Sequence, residues 1–185
     1  TDTSNMFGAL EFSTKAAEAG IQPIVGCQMA IERPEGNTPG SVSMNDPDQL
    51  VLLVQNEKGY MNLLKLASKA FCESGQENPT HITWEQLETY GEGLICLSGV
   101  PKGSIGRYFK ENKHDDAKQI CDRLLNIFGD RLYIELLRHG SLDEAAIEDH
   151  LLNLAYDKNI PIVATNNCYF TTRDMHQAHD ALLCI

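Results

Sequence analysis

Basic residues are scarce in this sequence of 185 residues, and long apolar runs are absent from it. The 15 Lys and Arg residues face 26 Asp and Glu residues, which gives a formal net charge of −11 at pH 7. Such a charge would repel a phosphate backbone, so we expect no direct contact between this stretch and nucleic acid. No apolar run approaches the roughly 20 residues that cross a bilayer, and no charged-then-apolar leader opens the sequence. We therefore expect a cytoplasmic location and no membrane partner.

The cysteines lack the spacing of a metal or redox motif. None of the six lies in a CxxC pair, and their spacings match no zinc template. Three of them fall within apolar or helical patterns, which is typical of reduced structural thiols. We expect free thiols at Cys27, Cys72, Cys96, Cys121, Cys168 and Cys184.

Three common catalytic motifs are also missing. The sequence has no GxGxxG, no GxxxxGK[ST] and no GxSxG, so dinucleotide, P-loop and hydrolase-elbow chemistries have no support. A glycine-rich stretch at residues 99–106 could hold a phosphate with Lys102, but its composition favours a turn that leads into a helix.

Helical and strand patterns alternate along the chain. The length suggests a single domain, and the alternation predicts an α/β fold with a parallel sheet or barrel. Pro and Gly residues predict a loop or insertion at about 33–48. We predict strands at 23–31, 49–54, 93–98, 131–137 and 160–164, and helices at 4–19 (capped by Ser4), 59–71, 83–90, 115–128, 142–157 and 174–184.

Polar residues gather where several predicted strands end. Asn166 and Asn167 follow the last strand, Glu135 and His139 flank another, and Asp2 lies at the first. Loops at the carboxyl ends of parallel strands carry the chemistry of many barrels, so these residues could share one mouth. The alternative is structural: an Asn pair is common in turns, and Glu135 could pair with a nearby Arg.

Two histidines of the last predicted helix form a weaker candidate. His176 and His179 share a face at i, i+3, and Asp174 or Asp180 could complete a metal site. Helix surface and packing is the simpler interpretation for this pair. The same applies to His150, which lies in an amphipathic helix.

Six segments, taken in order, resemble a known family. They read TDTSNMFGALEF, GIQPIVGCQMAI, LVLLVQNEKGYMNLLKLASKAF, GEGLICLSG, RLYIELLRHG and IPIVATNNCYF. Together they are similar to the PHP (polymerase and histidinol phosphatase) domain of bacterial replicative DNA polymerase III alpha subunits, over essentially the whole chain. The resemblance implies a distorted (β/α)7 barrel, with metals bound at its carboxyl rim where they are present. It also implies that residues 1–185 form a single PHP segment, incomplete because the family's opening His-x-His strand would precede residue 1.

This chain departs from the metal-binding members of that family at the ligand positions. The resemblance places Thr3 where they carry His, Gln28 where they carry Glu, and Asn167 and Tyr169 where they carry Asp and His. Neutral amides, a hydroxyl and a phenol are poor ligands for a divalent metal. We expect no catalytic residue, no cofactor and no bound metal here, only a vestigial site at Asp2, Thr3, Gln28, His139, Asn167 and Tyr169.

The resemblance implies that the parent chain is a DNA-directed DNA polymerase whose magnesium-dependent active site lies outside this segment. The segment would then pack against the polymerase body and dock the separate proofreading exonuclease subunit, while other domains contact DNA. Its missing strand would leave an open sheet edge that favours self-association. The alternatives are an active metal-dependent phosphoesterase or 3′-5′ exonuclease, and an unrelated small α/β enzyme, for which the sequence offers no catalytic set.

Overall fold

A computed structural model describes residues 1–34, 47–74 and 79–184. Helices and strands alternate along most of this length, as the sequence predicts. The strands are β1 (Asp2–Thr3), β2 (Gly26–Ile31), β3 (Asp48–Val54), β4 (Leu94–Leu97), β5 (Leu132–Leu136) and β6 (Ile162–Ala164). The helices are α1 (Ala9–Glu18), α2 (Glu57–Glu73), α3 (Trp84–Tyr90), α4 (Ser104–Lys110), α5 (His114–Phe128), α6 (Leu142–Lys158) and α7 (His176–Leu183).

The six strands form one sheet in sequence order, β1-β2-β3-β4-β5-β6. Five of them run in the same direction, but β3 is antiparallel to both of its neighbours. The expected parallel arrangement therefore does not extend to β3. A predicted loop between β2 and β3, instead of a crossover helix, favours antiparallel pairing. The fold class is confirmed as α/β, and among the described residues β1 and β6 do not pair, so the sheet is an open part of a barrel.

One face of the sheet carries the apolar core. Cys27, Leu52 and Cys96 lie side by side in register on β2, β3 and β4, and all three are fully buried. Helices α2, α4, α5 and α6 supply the opposing side chains, which include Leu63, Leu66, Ile105, Leu124 and Leu151. Because side chains alternate along a strand, the neighbouring residues point to the other face.

On the other face of the sheet, one residue from each of four neighbouring strands forms a row. Thr3 pairs with Gln28, Gln28 with Val51, and Val51 with Leu97. This row lies on the inner, concave side that a complete barrel would enclose. The residues that the resemblance assigns to a vestigial site therefore lie on two faces of the sheet, because neighbouring residues of a strand point to opposite faces.

The helix ends follow from short-range signals. Thr83 and Gln86 form a reciprocal capping box at the start of α3, as the predicted start at Thr83 requires. Ser141 and Glu144 form another at the start of α6. Gly129 ends α5 with φ of 58°, a conformation that favours glycine.

Two boundary predictions are wrong. Ser4 does not cap the first helix: its φ is 59°, and α1 begins at Ala9 after Gly8. The predicted loop at 33–48 extends too far, because Asp48 already belongs to β3. Residues 35–46 of that loop lie outside the described residues.

The first and last helices remain uncovered. Neither α1 nor α7 has a buried residue. Exposed apolar side chains accumulate there, with Phe7 at 87% and Leu10 at 81% exposure near α1, and Leu183 at 71% on α7. Within the described residues, no helix is both long and apolar enough to cross a membrane.

Candidate functional site

The inner face of the sheet opens into a cavity of about 460 Å³. Its floor is apolar and is formed by Val51, Leu53, Leu97, Val100 and Leu137. Its wall is polar and includes Thr3, Gln28, Gln49, Lys102, Glu135, Thr165, Asn166, Asn167 and Tyr169. Every strand contributes side chains directly or through the loop that follows it, as expected for the mouth of a barrel.

Three side chains from β1, β2 and β3 form a hydrogen-bonded chain along one wall. The Thr3 hydroxyl donates to Gln28 Oε1 at 3.2 Å. Gln28 Nε2 in turn donates to Gln49 Oε1 at 2.6 Å. Thr3 and Gln28, which the resemblance places at metal-ligand positions, are therefore hydrogen-bonded to each other. These three side chains carry no formal charge.

Glu135 is the carboxylate of the cavity, and its oxygens already have partners. It is 5% exposed. One oxygen accepts from the Thr165 hydroxyl at 2.6 Å, and the other from the Gly99 backbone N–H at 3.1 Å. Burial raises the pKa of Glu135, and the hydrogen bonds from Thr165 and Gly99 oppose this only in part. The two bonds tie β5 to the loops that follow β4 and β6.

His139 lies beside this cavity and joins two loops at its rim. Its Nδ1 is 3.0 Å from Glu144 Oε1, and its Nε2 is 2.5 Å from Asn166 Oδ1. Because both partners are oxygens, a doubly protonated ring satisfies both contacts. The hydrogen bonds to Glu144 and then Asn166 raise the pKa of His139. The imidazole therefore positions Asn166 at the cavity wall.

Asp2 does not join the other residues of the predicted site. It lies in register with Cys27 on the helix side of the sheet. Its Oδ2 accepts from the Gly8 backbone N–H at 3.1 Å, just before α1. It borders a second, smaller cavity of about 340 Å³, next to α1. Asp2 thus anchors the start of the first helix.

The residues present do not fit a divalent metal. In the described ranges, no group of three His, Cys, Asp or Glu side chains is placed to hold one. Glu135 is already hydrogen-bonded, and the amides of Gln28, Gln49 and Asn167 bring no negative charge. Divalent cations are held by several charged or imidazole ligands acting together. The arrangement can instead bind a ligand through hydrogen bonds.

Among the remaining sequence candidates, the histidines lie outside this cavity and Lys102 lies at its wall. The His179 ring is tilted against those of Tyr169 and Phe170, with ring centroids 5.5 Å apart in each case, and His176 Nδ1 lies 3.8 Å from Asp180 Oδ2. His150 stacks on Phe109 at 5.3 Å. The stretch 99–106 contains the turn that leads into α4, with Lys102 at the cavity wall. The prediction of free cysteines is confirmed: all six thiols are unpaired.

Two residues of the site, Glu144 and Gln49, were absent from the sequence predictions, whereas Thr165 belongs to the polar cluster predicted after the last strand. Glu144 had a usable signal, because Ser141-x-x-Glu144 is a capping-box pattern that brings this carboxylate close to the preceding loop. Gln49 had none beyond its position at the start of a predicted strand. Its contribution depends on strand register, which the sequence pattern alone leaves undetermined.

Comparisons with known proteins place this geometry in a family. The PHP domain profile matches residues 1–139. The chain is 42% identical over 184 residues to the DNA polymerase III subunit alpha of Caulobacter vibrioides, covering 100% of this chain and 16% of that protein. It is 40% identical over 185 residues to the subunit of Rickettsia bellii, and 32% identical over 199 residues to that of Mycobacterium tuberculosis.

The chain spans only 15% to 17% of the length of these three relatives. The similarity thus describes one portion of much longer proteins. The profile match covers most of this portion, from β1 to the loop after β5. The open α/β sheet and its polar inner cavity agree with a partial barrel of this type, and the chain belongs to the PHP domain family.

Proposed function

We propose that this chain is the PHP segment of a bacterial replicative DNA polymerase alpha subunit. The observation that carries the proposal is the identity of 42% and 40% to DNA polymerase III alpha subunits over the whole chain. The parent chain would catalyse template-directed DNA synthesis. Its carboxylates and magnesium ions would lie outside residues 1–185, as would its contacts with DNA.

The role of the segment itself is structural. Its exposed apolar residues, among them Phe7 and Leu10, need a covering surface. The polymerase body of the same chain would cover part of this apolar surface. The proofreading exonuclease subunit would dock on another part of the segment. The hydrogen-bonded amides at the inner cavity support a decayed metal site, because they replace charge with neutral groups.

Primer extension by the purified full-length chain tests the proposal. We expect DNA synthesis that requires magnesium and persists in Gln28→Ala and His139→Ala, because these residues lie outside the polymerase site. A full-length chain that extends no primer would overturn the assignment. Release of nucleotides from a 3′-labelled end that needs added metal and disappears in His139→Ala would instead support the phosphoesterase or exonuclease alternative.

Docking of the exonuclease can be tested with the same protein. Gel filtration of the full-length chain with the exonuclease subunit should give a complex. A complex that forms equally well with a full-length chain whose residues 1–185 have been replaced by an unrelated domain would contradict this docking role.

A further inference from the structure

The polar groups around the inner cavity offer more unpartnered donors than acceptors. Gln49 accepts from Gln28 through its amide oxygen, which leaves both N–H groups of its nitrogen without a partner among the described residues. The Asn166 amide is arranged in the same way: its oxygen is hydrogen-bonded to His139, and the N–H groups of its nitrogen have no partner among the described residues. Among the residues that the structure describes, the Asn167 amide and the Lys102 ammonium also have no hydrogen-bond partner. The wall can therefore donate several hydrogen bonds inward.

The charge at the wall favours the same kind of ligand. Lys102 is an exposed cation at the rim. The acid of the cavity, Glu135, already accepts hydrogen bonds on both oxygens, from Thr165 and Gly99, so it has no unpartnered oxygen to offer a cation. Hydrogen bonds from a cation to an anionic oxygen are about twice as strong as neutral ones. An anionic acceptor therefore matches this wall better than a cation does.

We infer that the cavity binds an aliphatic carboxylate without a metal. The amides of Gln49 and Asn167 and the ammonium of Lys102 donate to its oxygens, while its hydrocarbon stem lies on the apolar floor. The inference rests on the proposed function, in which neutral side chains occupy former ligand positions. It adds a ligand class: a small dicarboxylic acid, or a glutamate side chain of a peptide.

A carboxylate fits this cavity better than a phosphate does. Lys102 is the one Lys or Arg among the described residues that line the cavity, so the adjacent charges of a phosphate dianion would share a single cation. The charges of a dicarboxylate lie at opposite ends of its stem, so Lys102 has to balance only one of them. Five apolar residues, Val51, Leu53, Leu97, Val100 and Leu137, form a floor that a hydrocarbon stem can cover and a bare phosphate cannot.

Calorimetric titration of the full-length chain in the presence of EDTA tests the inference. The probes are glutarate, a short peptide that contains one glutamate, and inorganic phosphate. We expect saturable binding of glutarate or of the peptide, and the tighter of the two identifies the source. Lys102→Gln should weaken this binding about tenfold or more, because it removes a charged donor. Gln49→Glu should abolish it by placing a second carboxylate at the wall.

Lys118→Gln is the matched control, because it removes the same charge from an exposed position on α5, outside the cavity. It should leave the affinity unchanged, and circular dichroism should show that every variant is folded. If Gln49→Glu fails to fold, Lys102→Gln alone decides the outcome.

The outcomes separate this inference from the proposed function. No binding of glutarate or peptide, or tighter binding of phosphate than of either, would overturn the inference and leave the polymerase assignment intact. Equal loss of binding in Lys102→Gln and Lys118→Gln would overturn it too. Binding that appears only after manganese replaces EDTA would overturn the inference and also contradict the decayed metal site.

Discussion

Arg107 donates two hydrogen bonds to the same carboxylate, that of Asp48, from Nε at 2.7 Å and from Nη2 at 3.0 Å. Asp48 is 1% exposed at the first position of β3, and Arg107 lies in α4. The pair is separated by 59 residues in sequence. It holds the start of the antiparallel strand against the helix that follows the cavity loop. The contact thus fastens the end of β3 that carries Gln49, a residue of the inner wall.

Removing the charge of Asp48 should destabilise this region strongly. In Asp48→Asn, the Arg107 guanidinium loses its buried anionic partner and keeps only the more exposed Glu111, and the loss of a buried partner costs about 3 to 5 kcal/mol. Hydrogen exchange of the β3 and α4 amides in the full-length chain measures the change. Glu111→Gln is the control, since Glu111 also contacts Arg107, at 3.2 Å, but is far more exposed. An equal and small effect of both substitutions would contradict a stabilising role for the buried pair.

A methyl group at Gly59 should displace α2 from the sheet. A Cβ built there would lie 1.8 Å from the Gly93 carbonyl oxygen, a backbone atom that cannot rotate away. Gly59→Ala should therefore cost about 1 to 3 kcal/mol or more through overpacking, although alanine favours helices. Ser68→Ala, at an exposed position of the same helix, is the control. Unchanged exchange of the α2 amides in Gly59→Ala would contradict this packing.

The secondary structure follows largely from local pattern. The stop at Gly129 and the start at Thr83 were predictable, because a left-handed residue and a capping box depend on neighbours within a few positions. The first helix was misjudged at Ser4 because capping residues also occur in other turns. The direction of β3 required attention to the loop that the sequence predicts between β2 and β3.

The arrangement of the site was less predictable. Asp2 and Thr3 are adjacent in sequence but lie on opposite faces of the sheet, so only the register decides which one reaches the cavity. The contact between His139 and Asn166 spans 27 residues, and that between Arg107 and Asp48 spans 59. Such pairs depend on how the strands assemble, and a local pattern carries no signal for them.

The contact between His139 and Glu144 should depend on pH. This contact and the one to Asn166 raise the pKa of His139 above its ordinary value of 6.5. The protonated His139 ring therefore contributes fully to the free energy of unfolding below the pKa that His139 has in the unfolded chain. This contribution is lost as the pH rises through the raised pKa of His139 in the folded chain. An NMR titration of the His139 ring in the folded protein measures this value.

Glu144→Gln should lower the pKa of His139, because it removes the carboxylate while keeping a side chain that can complete the capping box. Glu148→Gln is the control, since Glu148 lies on the same helix but bonds to Arg138. If both substitutions shift the pKa of His139 equally, the effect would come from the general field of α6 and not from this contact.

The six thiols should react in two groups. Burial raises the pKa of Cys27 and of Cys121 to about 11, and it raises the pKa of Cys96 as well. Since the thiolate is the reactive form, iodoacetamide at pH 8 should label the exposed Cys72, Cys168 and Cys184 and spare the buried three. Mass spectrometry gives the labelled positions, and urea should make all six reactive. Labelling of Cys96 in the folded chain would contradict the described core.

The proposed decay of the metal site rests on Thr3, Gln28 and Asn167, which stand at positions where the resemblance implies charged or imidazole ligands. A metal held by few charged groups would keep most of its water and bind weakly. The most direct test is elemental analysis of the full-length chain, purified without chelators. We predict well under one equivalent of zinc, manganese or iron. About one equivalent or more, lost in His139→Ala together with a phosphoesterase activity, would contradict the account.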